Sequence, residues 1–360
     1  MNCYIHVPFC SSKCGYCAFY SDKPTNEKII DDYLTNLELE VSKISSSIST
    51  LYIGGGTPTL LSVKQLEKLF SIIKSLQFND NAEISIESNP ETLTLEKVKL
   101  LRNNVTRLSM GVQSFNEKLR SSLGRKCNSS SLKNALTLIK EAKFPHFNLD
   151  LIYGIPGETM EDFIFDIKAA LSWGVDHLSC YSLTPEETSI LGNSYQLDED
   201  MAAKMYEAIP NLLLDADIFQ YEISNYAKVG CECQHNVNVW QGQLLLGIGP
   251  SAAGFDGINR YSYECDINKW NNRNAIKEID EIPLNHRLAE IFAVNLRTVK
   301  GWNKKMWSQV PNCDTWENRL TIARDICKKY PKFWDIKEDN IKLTKLGRLY
   351  WDTIAEELLP

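Results

Sequence analysis

The first half of the sequence alternates short β-rich runs with longer amphipathic stretches, and this alternation constrains the fold more than any other feature. The candidate strands are Cys3–Val7, Thr50–Ile53, Glu83–Glu87, Arg107–Val112, Phe147–Ile152 and His177–Ser182. The candidate helices, in which apolar residues recur every three or four positions, are Asp31–Ser42, Val63–Leu76, Leu93–Arg102, Ser131–Ala142 and Met160–Trp173. Strands separated by helices imply right-handed βαβ units and a parallel sheet. We therefore predict an α/β fold with six such units, either a partial TIM-like barrel or a doubly wound open sheet.

The residues that directly follow the candidate strands are unusual for plain loops. Cysteines follow the first strand, and the run Gly54–Pro58 (GGGTP) follows the second, where glycines let a backbone approach a ligand closely and offer free N–H donors. Glu87, Gln113 and Asp150 stand at or near the ends of the next three strands. Because the carboxyl ends of parallel strands meet at one edge, these residues are expected to form one site. This convergence favours the barrel.

Cys10, Cys14 and Cys17 form a C-x₃-C-x₂-C run in a loop that Pro8 and Gly15 keep out of regular structure. A cubane iron–sulfur cluster needs thiolates that converge on separate irons, which a short irregular loop supplies. Three protein ligands leave one iron open, as chelation by the amino and carboxylate groups of S-adenosylmethionine (SAM) requires. The alternatives are inert thiols and structural zinc, which needs four ligands; His6 is the residue near enough to be considered as a fourth.

Composition narrows the class of protein further. The net charge is −7 and the basic residues are scattered, so we expect no nucleic-acid-binding surface. No apolar run approaches the roughly 18 residues of a membrane span, and the N-terminus lacks the features of a secretory signal. We therefore expect a cytoplasmic protein without a transmembrane segment, whose eleven cysteines do not form a disulfide framework.

The cysteine run, with Tyr16 before its last cysteine, resembles that of the radical SAM superfamily. Further motifs resemble, in order, one branch of it, the oxygen-independent coproporphyrinogen III oxidase-like family; they lie at residues 4–10, 54–58, 111–115, 123–125 and 150–157. The resemblance covers essentially the whole chain. With the strand pattern, it leads us to expect a partial (β/α)₆ radical SAM barrel over residues 1–190. We expect a barrel extension with a candidate heme-binding segment over 191–282, and a smaller C-terminal α+β, winged-helix-like module over 283–360.

The resemblance also implies functional residues, position by position. Cys10, Cys14 and Cys17 would hold a [4Fe–4S] cluster, reduced by an electron donor such as flavodoxin or ferredoxin. Other residues would contact SAM, or line the adjoining pocket where related proteins hold a second SAM. They are Tyr4, Phe19, Gly55, Gly56, Thr57, Glu87, Gln113, Arg125 and Asp150.

This branch contains two kinds of protein with different activities. The oxidases decarboxylate two propionates of coproporphyrinogen III, whereas the HemW-type members bind heme and pass it to an acceptor protein. Phe19 stands where the oxidases carry a fourth cysteine, and residues 221–227, followed by His235 and Asn236, look like the HemW type. A heme chaperone is therefore the preferred function. The alternatives are an oxidase, or another radical SAM enzyme, and a non-catalytic iron–sulfur scaffold.

The candidate heme ligand is His235. The HemW-type pattern His-Asn-x-x-Tyr-Trp reads HNVNVW from His235 to Trp240, with Val239 in place of the tyrosine. Imidazole is a standard axial ligand of heme iron. Cys231 and Cys233 lie just upstream and are alternative ligands of heme iron or of another metal.

Overall fold

The structure is a computed structural model that describes residues 1–185, 189–192 and 195–359. Six parallel strands run through the first half of the chain, and each predicted strand lies within an observed one. They are β1 (Asn2–Val7), β2 (Ile48–Gly55), β3 (Phe78–Ser88), β4 (Arg107–Gln113), β5 (His146–Tyr153) and β6 (His177–Ser182).

Helices connect these strands, with one or two in each of the connections from β1 to β6. They are α1 (Glu27–Ser42), α2 (Val63–Ile73), α3 (Leu95–Arg102), α4 (Glu117–Ser122), α5 (Ser129–Ala142) and α6 (Met160–Ser172). Capping boxes begin two of them: Ser62 exchanges hydrogen bonds with Gln65 at the start of α2, and Thr159 does so with Asp162 at the start of α6. Such caps satisfy N–H groups that the first helical turn leaves without partners. The apolar faces of these helices pack on the sheet to form the main core.

The segment after β6 adds short elements to both edges of the sheet. They are α7 (Glu199–Leu213), β7 (Phe219–Gln220), β8 (Asn225–Ala227), α8 (Gln234–Trp240), β9 (Leu245–Ile248), β10 (Ala253–Phe255), β11 (Arg260–Tyr263), α9 (Ile267–Asn271) and β12 (Lys277–Asp280). β9 pairs in parallel with β1, whereas β8 pairs antiparallel with β6.

The strand order decides between the two predicted architectures. In the described residues the sheet reads β12-β11-β10-β9-β1-β2-β3-β4-β5-β6-β8-β7, so each of the six parallel strands pairs with the next one in sequence. A doubly wound sheet would reverse its order at a switch point, whereas sequential order is the winding of a barrel. Since β1 and β6 have other neighbours, the barrel stays open. The predicted partial (β/α)₆ barrel is therefore confirmed.

The C-terminal segment forms a module with its own apolar core. It comprises α10 (Leu284–Asn295), β13 (Trp302–Asn303), α11 (Lys304–Trp307), α12 (Trp316–Lys329), β14 (Trp334–Ile336), β15 (Asn340–Leu343), α13 (Lys345–Leu349) and α14 (Trp351–Leu358). β13, β15 and β14 form an antiparallel sheet in that order. The core is built around Phe292, Trp302 and Trp307.

The module contacts the barrel at the segment between β7 and β8. Arg297 pairs with Glu222, whose side chain is fully buried, and the Val299 N–H donates to the Tyr221 carbonyl oxygen at 3.0 Å. The Arg297 guanidinium also lies over the ring of Trp240, the last residue of α8, at 5.6 Å. In the described part of the chain, no helix is long and apolar enough to cross a membrane.

Candidate functional site

A cavity of about 410 Å³ opens at the carboxyl edge of the parallel strands. Its volume is within the range of ligand sites in proteins, roughly 300–1,000 Å³. The sequence-predicted residues that line it are Cys10, Cys14, Cys17, Phe19, Gly55, Gly56, Thr57, Glu87, Gln113, Arg125 and Asp150. Tyr4 is not part of this lining: its ring stacks on Tyr52, and its hydroxyl donates to Nδ1 of His6 at 3.0 Å.

The cysteine loop between β1 and α1 is held by backbone hydrogen bonds to distant segments. The Gly15 N–H donates to the Leu123 carbonyl oxygen at 2.9 Å, and the Gly15 carbonyl accepts from Leu191 at 2.7 Å. The Cys10 N–H donates to the Asp22 carbonyl oxygen at 3.0 Å. The loop therefore has a fixed position over the cavity although it has no regular structure.

The three cysteines of the loop fit a cluster better than a single ion. Cys10, Cys14 and Cys17 are free thiols, and their sulfurs do not all lie within 4.8 Å of one another. Ligands of one zinc ion bind at about 2.0–2.3 Å, which would bring the sulfurs closer together than this. Both ring nitrogens of His6 are occupied, since Nε2 donates to the Tyr20 carbonyl oxygen at 2.9 Å and Nδ1 accepts from Tyr4. His6 is therefore not available as a fourth ligand for zinc at the cysteine loop.

The glycine run after β2 makes room for protein groups. A Cβ added to Gly54 would lie 2.9 Å from the Glu87 carboxylate. A Cβ added to Gly55 would lie 2.6 Å from the His6 ring, and one added to Gly56 would lie 2.7 Å from the Phe9 carbonyl oxygen. The N–H groups of the second and third glycines donate to Glu87 and Val7. Gly55 and Gly56 line the cavity, and the absence of side chains in the run also lets β2 lie close to β1, β3 and the cysteine loop.

Glu87 is the next-to-last residue of β3, and its partly buried side chain lines the cavity. Oε1 accepts from the Tyr52 hydroxyl at 2.9 Å, and Oε2 accepts from the Gly55 N–H at 3.1 Å. Burial raises the pKa of Glu87 to about 7, and the neighbouring Asp150 contributes to this rise. The ionised form of a carboxyl group in this environment is stabilised by a cationic or hydrogen-bond-donating ligand, which replaces the water that burial has removed.

Asp150 and Arg125 form the polar side of the cavity opposite Glu87. Asp150 accepts from Ser109 at 3.0 Å and from Asn148 at 2.8 Å, and burial raises its pKa. Arg125 donates to the Gly111 carbonyl oxygen, and its Nη1 lies 4.0 Å from Sγ of Cys14. This fixed cation stabilises negative charge on the cysteine sulfurs.

Three aromatic residues that line the cavity, Tyr16, Tyr52 and Tyr181, were not among the predicted site residues. Tyr52 lines the cavity beneath Glu87, and Tyr181 lines it at the end of β6. Strand periodicity was a signal for Tyr52, because it stands two positions before Gly54 and therefore on the same face of β2. Gln113 reaches the cavity from a β-bulge, where its φ of +72° lies in the left-handed region. Nothing in the sequence indicated that bulge.

His235 lies at the opposite end of the barrel, where α8 covers the amino-terminal edge of the strands. Its side chain is 5% exposed, its Nδ1–H donates to Thr50 at 2.9 Å, and its ring lies 5.2 Å from that of Tyr52. Burial lowers the pKa of His235 to about 4, so the ring stays neutral and Nε2 keeps its lone pair. The structure does not bring this residue together with the cysteine cavity.

Sequential parallel strands, with three loop cysteines and two cavity-lining carboxylates at their carboxyl edge, define the class as a radical SAM fold. Residues 4–170 match the Radical SAM superfamily. The solved structure of Escherichia coli coproporphyrinogen III oxidase, HemN, shares this fold at a TM-score of 0.83 and 23% identity, covering 99% of this chain and 89% of that one.

Similarity to curated proteins identifies the family within this superfamily. Heme chaperone HemW of Haemophilus influenzae is 36% identical over 100% of this chain and 98% of its own. HemW of Bacillus subtilis is 33% identical over 86% of each chain, and HemW of Escherichia coli is 37% identical over 71% of this chain and 70% of its own. The chain belongs to the HemW family of the radical SAM superfamily.

Membership of this superfamily implies a [4Fe–4S] cluster and SAM, and the residues present fit both groups. The cysteine sulfurs are spread more widely than one ion requires, and Arg125 places a positive charge beside them. The adjoining cavity is lined by two partly buried carboxylates, Glu87 and Asp150, which suit the ammonium and hydroxyl groups of SAM.

Proposed function

We propose that this protein is a heme chaperone that binds heme and transfers it to an acceptor protein. The observation that carries the proposal is the 36% identity to heme chaperone HemW of Haemophilus influenzae over the whole chain. The proposal includes the cytoplasmic location expected from the sequence, where thiols stay reduced. It also includes a heme-accepting protein as the partner and a flavodoxin or ferredoxin as the electron donor.

In this proposal, Cys10, Cys14 and Cys17 hold the [4Fe–4S] cluster and leave one iron for SAM. A reduced cluster of this kind supplies an electron that can cleave the SAM sulfonium. Arg125 stabilises the negative charge of the thiolate loop, since its guanidinium is fixed between Cys14 and the Gly111 carbonyl.

The remaining cavity residues bind and orient SAM in the proposal. Glu87 accepts hydrogen bonds from the amino or ribose groups, and Tyr52 holds this carboxylate in place from below. Asp150 binds a second polar end of the ligand, and Ser109 and Asn148 fix its orientation. The other proposed contacts are Tyr4, Phe19, Gly55, Gly56, Thr57 and Gln113. Of these, Tyr4 acts through Tyr52, on which it stacks.

His235 is the proposed axial ligand of heme. Its neutral ring suits this role, because the Nδ1–H bond to Thr50 leaves Nε2 as the lone-pair nitrogen. The side chain is buried, with Tyr52 above it and the Glu83 carboxylate hydrogen-bonded to the backbone N–H of His235. A heme therefore reaches His235 only after α8 moves away from the barrel edge. The proposal requires that movement.

The first test compares heme binding by the wild-type chain and by His235→Ala, using anaerobically purified protein and a heme titration followed by absorbance. We expect a loss of heme affinity in this variant and no change in His286→Ala, which replaces a partly exposed histidine of α10 in the C-terminal module. Heme-loaded wild-type protein should transfer its heme to an apo-heme protein. Unchanged heme affinity in His235→Ala would show that His235 is not the heme ligand. Absence of heme binding by the wild type would refute the proposed function.

The same preparation tests the alternative, an oxidase. Protein with four irons per chain is incubated with SAM, reductant and coproporphyrinogen III, and protoporphyrinogen is measured. We expect no product, because Phe19, which is 67% exposed at the cavity, stands in place of the fourth cysteine. More than one product molecule per protein would favour the oxidase.

A further inference from the structure

A second group of metal-ligand side chains lies at the amino-terminal edge of the barrel strands, away from the cysteine cavity. A ring nitrogen of His146, a carboxylate oxygen of Asp176 and the sulfur of Cys231 all lie within 4.8 Å of one another. In the described residues, no other three His, Cys, Asp or Glu side chains form so compact a group. His146 is the first residue of β5, Asp176 directly precedes β6, and Cys231 lies between β8 and α8. Three separate segments thus bring an imidazole, a carboxylate and a thiol together.

The backbone and side-chain contacts of these residues fix their positions. Oδ1 of Asp176 accepts from the Phe147 N–H at 2.9 Å, and Oδ2 accepts from Nδ1 of His146 at 2.7 Å. The Cys231 carbonyl oxygen accepts from Nη2 of Arg107 at 2.9 Å. The Asp176 carboxylate, the His146 ring and the backbone of Cys231 are therefore positioned before any ion binds, which lowers the entropy that binding must overcome.

The local charge and exposure permit a cation. Arg107 is the positive group nearby, and it is paired with Glu83 at 3.2 Å, so it does not leave an unbalanced positive charge. The side chains of His146 and Asp176 are 31% and 19% exposed. An ion can therefore enter from solvent, and a water molecule can complete its coordination.

We propose that His146, Asp176 and Cys231 bind a zinc ion. Imidazole nitrogen, carboxylate oxygen and thiolate sulfur are the three donor types that zinc takes in proteins, and three protein ligands with one water is a common zinc arrangement. The thiolate favours zinc over the hard cations magnesium and calcium. Binding breaks the S–H bond of Cys231, and that proton leaves to solvent as the Zn–S bond forms. His146 would bind as the neutral imidazole through its unprotonated ring nitrogen, with the ring proton held on the other nitrogen.

A zinc ion at this site would have a structural consequence for the amino-terminal edge of the barrel strands. Cys231 lies three residues before Gln234, the first residue of α8, which carries His235. A zinc ion would tie the start of α8 to β5 and to the loop before β6. The zinc proposal does not depend on heme binding, and it is tested by the metal content of the protein.

The test uses the full-length chain with Cys10, Cys14 and Cys17 replaced by alanine, so that neither iron nor zinc occupies the cluster loop. The protein is incubated with zinc, desalted and analysed for metal by mass spectrometry. We expect one zinc per chain in this background. We expect none after Cys231→Ser, and one after Cys265→Ser, which replaces an exposed cysteine elsewhere. Cobalt should give a thiolate-to-metal charge-transfer band that Cys231→Ser removes.

A further variant separates ligand loss from misfolding. Asp176→Asn keeps an oxygen to accept from Phe147 but loses the carboxylate charge. We expect its zinc affinity to fall at least about tenfold, because even changes outside the ligand shell cost 10–100-fold. Its circular dichroism without metal should match that of the background protein. Absence of zinc from the background protein, or equal zinc in Cys231→Ser, would overturn the proposal.

Discussion

Replacing Glu87 by glutamine should stabilise the cluster-free protein at alkaline pH although it removes a proposed SAM contact. The pKa of this partly buried carboxyl is raised to about 7 from its ordinary value of 4.5, mainly because the surrounding protein removes water from it. Between these two values the folded chain binds more protons than the unfolded chain does. The free energy of unfolding therefore decreases as the pH rises through this window, and the stability that the protonated form provides is lost above about pH 7.

The size of the effect follows from the same pKa difference. Ionising Glu87 lowers the free energy of unfolding by about 3 kcal/mol at pH 8 and by less than about 1 kcal/mol at pH 5. Glutamine avoids this loss, but its single oxygen cannot fully replace the two that accept from Tyr52 and Gly55. One weakened hydrogen bond costs about 1 kcal/mol. Glu87→Gln should therefore be more stable than the parent by about 2 kcal/mol at pH 8, and of similar or lower stability at pH 5.

The assay is urea unfolding of both chains at pH 5 and pH 8, in the background without cluster cysteines, with free energies from linear extrapolation. Glu96→Gln is the control, because Glu96 is exposed in the first turn of α3. Its stability difference from the parent should not change with pH. If the difference for Glu87→Gln is the same at both pH values, the Glu87 carboxyl is not protonated near neutral pH and the reasoning is wrong.

Three further substitutions test the packing of the site and of the module. Gly56→Ala should lower the iron bound per chain after cluster reconstitution, because the new Cβ would lie 2.7 Å from the Phe9 carbonyl oxygen of the cysteine loop. Arg297→Ala should lower the free energy of unfolding, measured in urea, by about 3 kcal/mol, because it leaves the buried Glu222 carboxylate without its cation. Trp302→Ala should lower it by about 3–5 kcal/mol, since this side chain is fully buried in the module core.

Matched changes serve as controls for the first two of these substitutions. Gly157→Ala should leave the iron content unchanged, because its Cβ would meet nothing within 4 Å, although its φ of +80° strains an alanine there and should lower the free energy of unfolding. Arg324→Ala should leave stability unchanged, since this side chain is 54% exposed and its partner Glu338 is 97% exposed. Full iron content in Gly56→Ala would show that the loop adapts to the added methyl group. Losses as large in the control variants would show that the contacts named above are not responsible.

The parallel strands were predictable because the burial of a strand leaves a recognisable pattern of apolar residues in its sequence. β1 and β4 are almost wholly buried, and their apolar residues stand at every second position (Cys3, Ile5 and Val7; Leu108, Met110 and Val112), which is the period of a strand, whereas the helices between strands show a period of three to four. The strand order was not predictable from these patterns. It depends on which strand edges pair, and side-chain periodicity carries no information about that.

Within the site, sequence reasoning located the residues at strand ends, but it did not show which protein groups occupy the space beside the glycines. The run Gly54–Gly56 has the composition of a ligand-binding loop, yet its missing side chains accommodate Glu87, His6 and Phe9. Gly55 has a φ of +109°, which only glycine adopts without strain. A sequence shows that a Cβ is absent, but the group that occupies the space comes from other segments of the chain.

The two ends of the barrel are joined by a hydrogen-bonded chain that no single motif contains. At the cavity, Asp150 accepts from Asn148 at 2.8 Å, and Asn148 accepts from Nδ1 of His177 at 2.6 Å. Nε2 of His177 accepts from the Tyr221 hydroxyl at 2.8 Å, which in turn accepts from the N–H of Cys233, the N-cap of α8, at 3.3 Å. Because α8 must move before heme reaches its proposed ligand, that movement would break this chain at its last link. The structure thus connects the proposed heme end to the cluster end through interior polar groups rather than through a shared pocket.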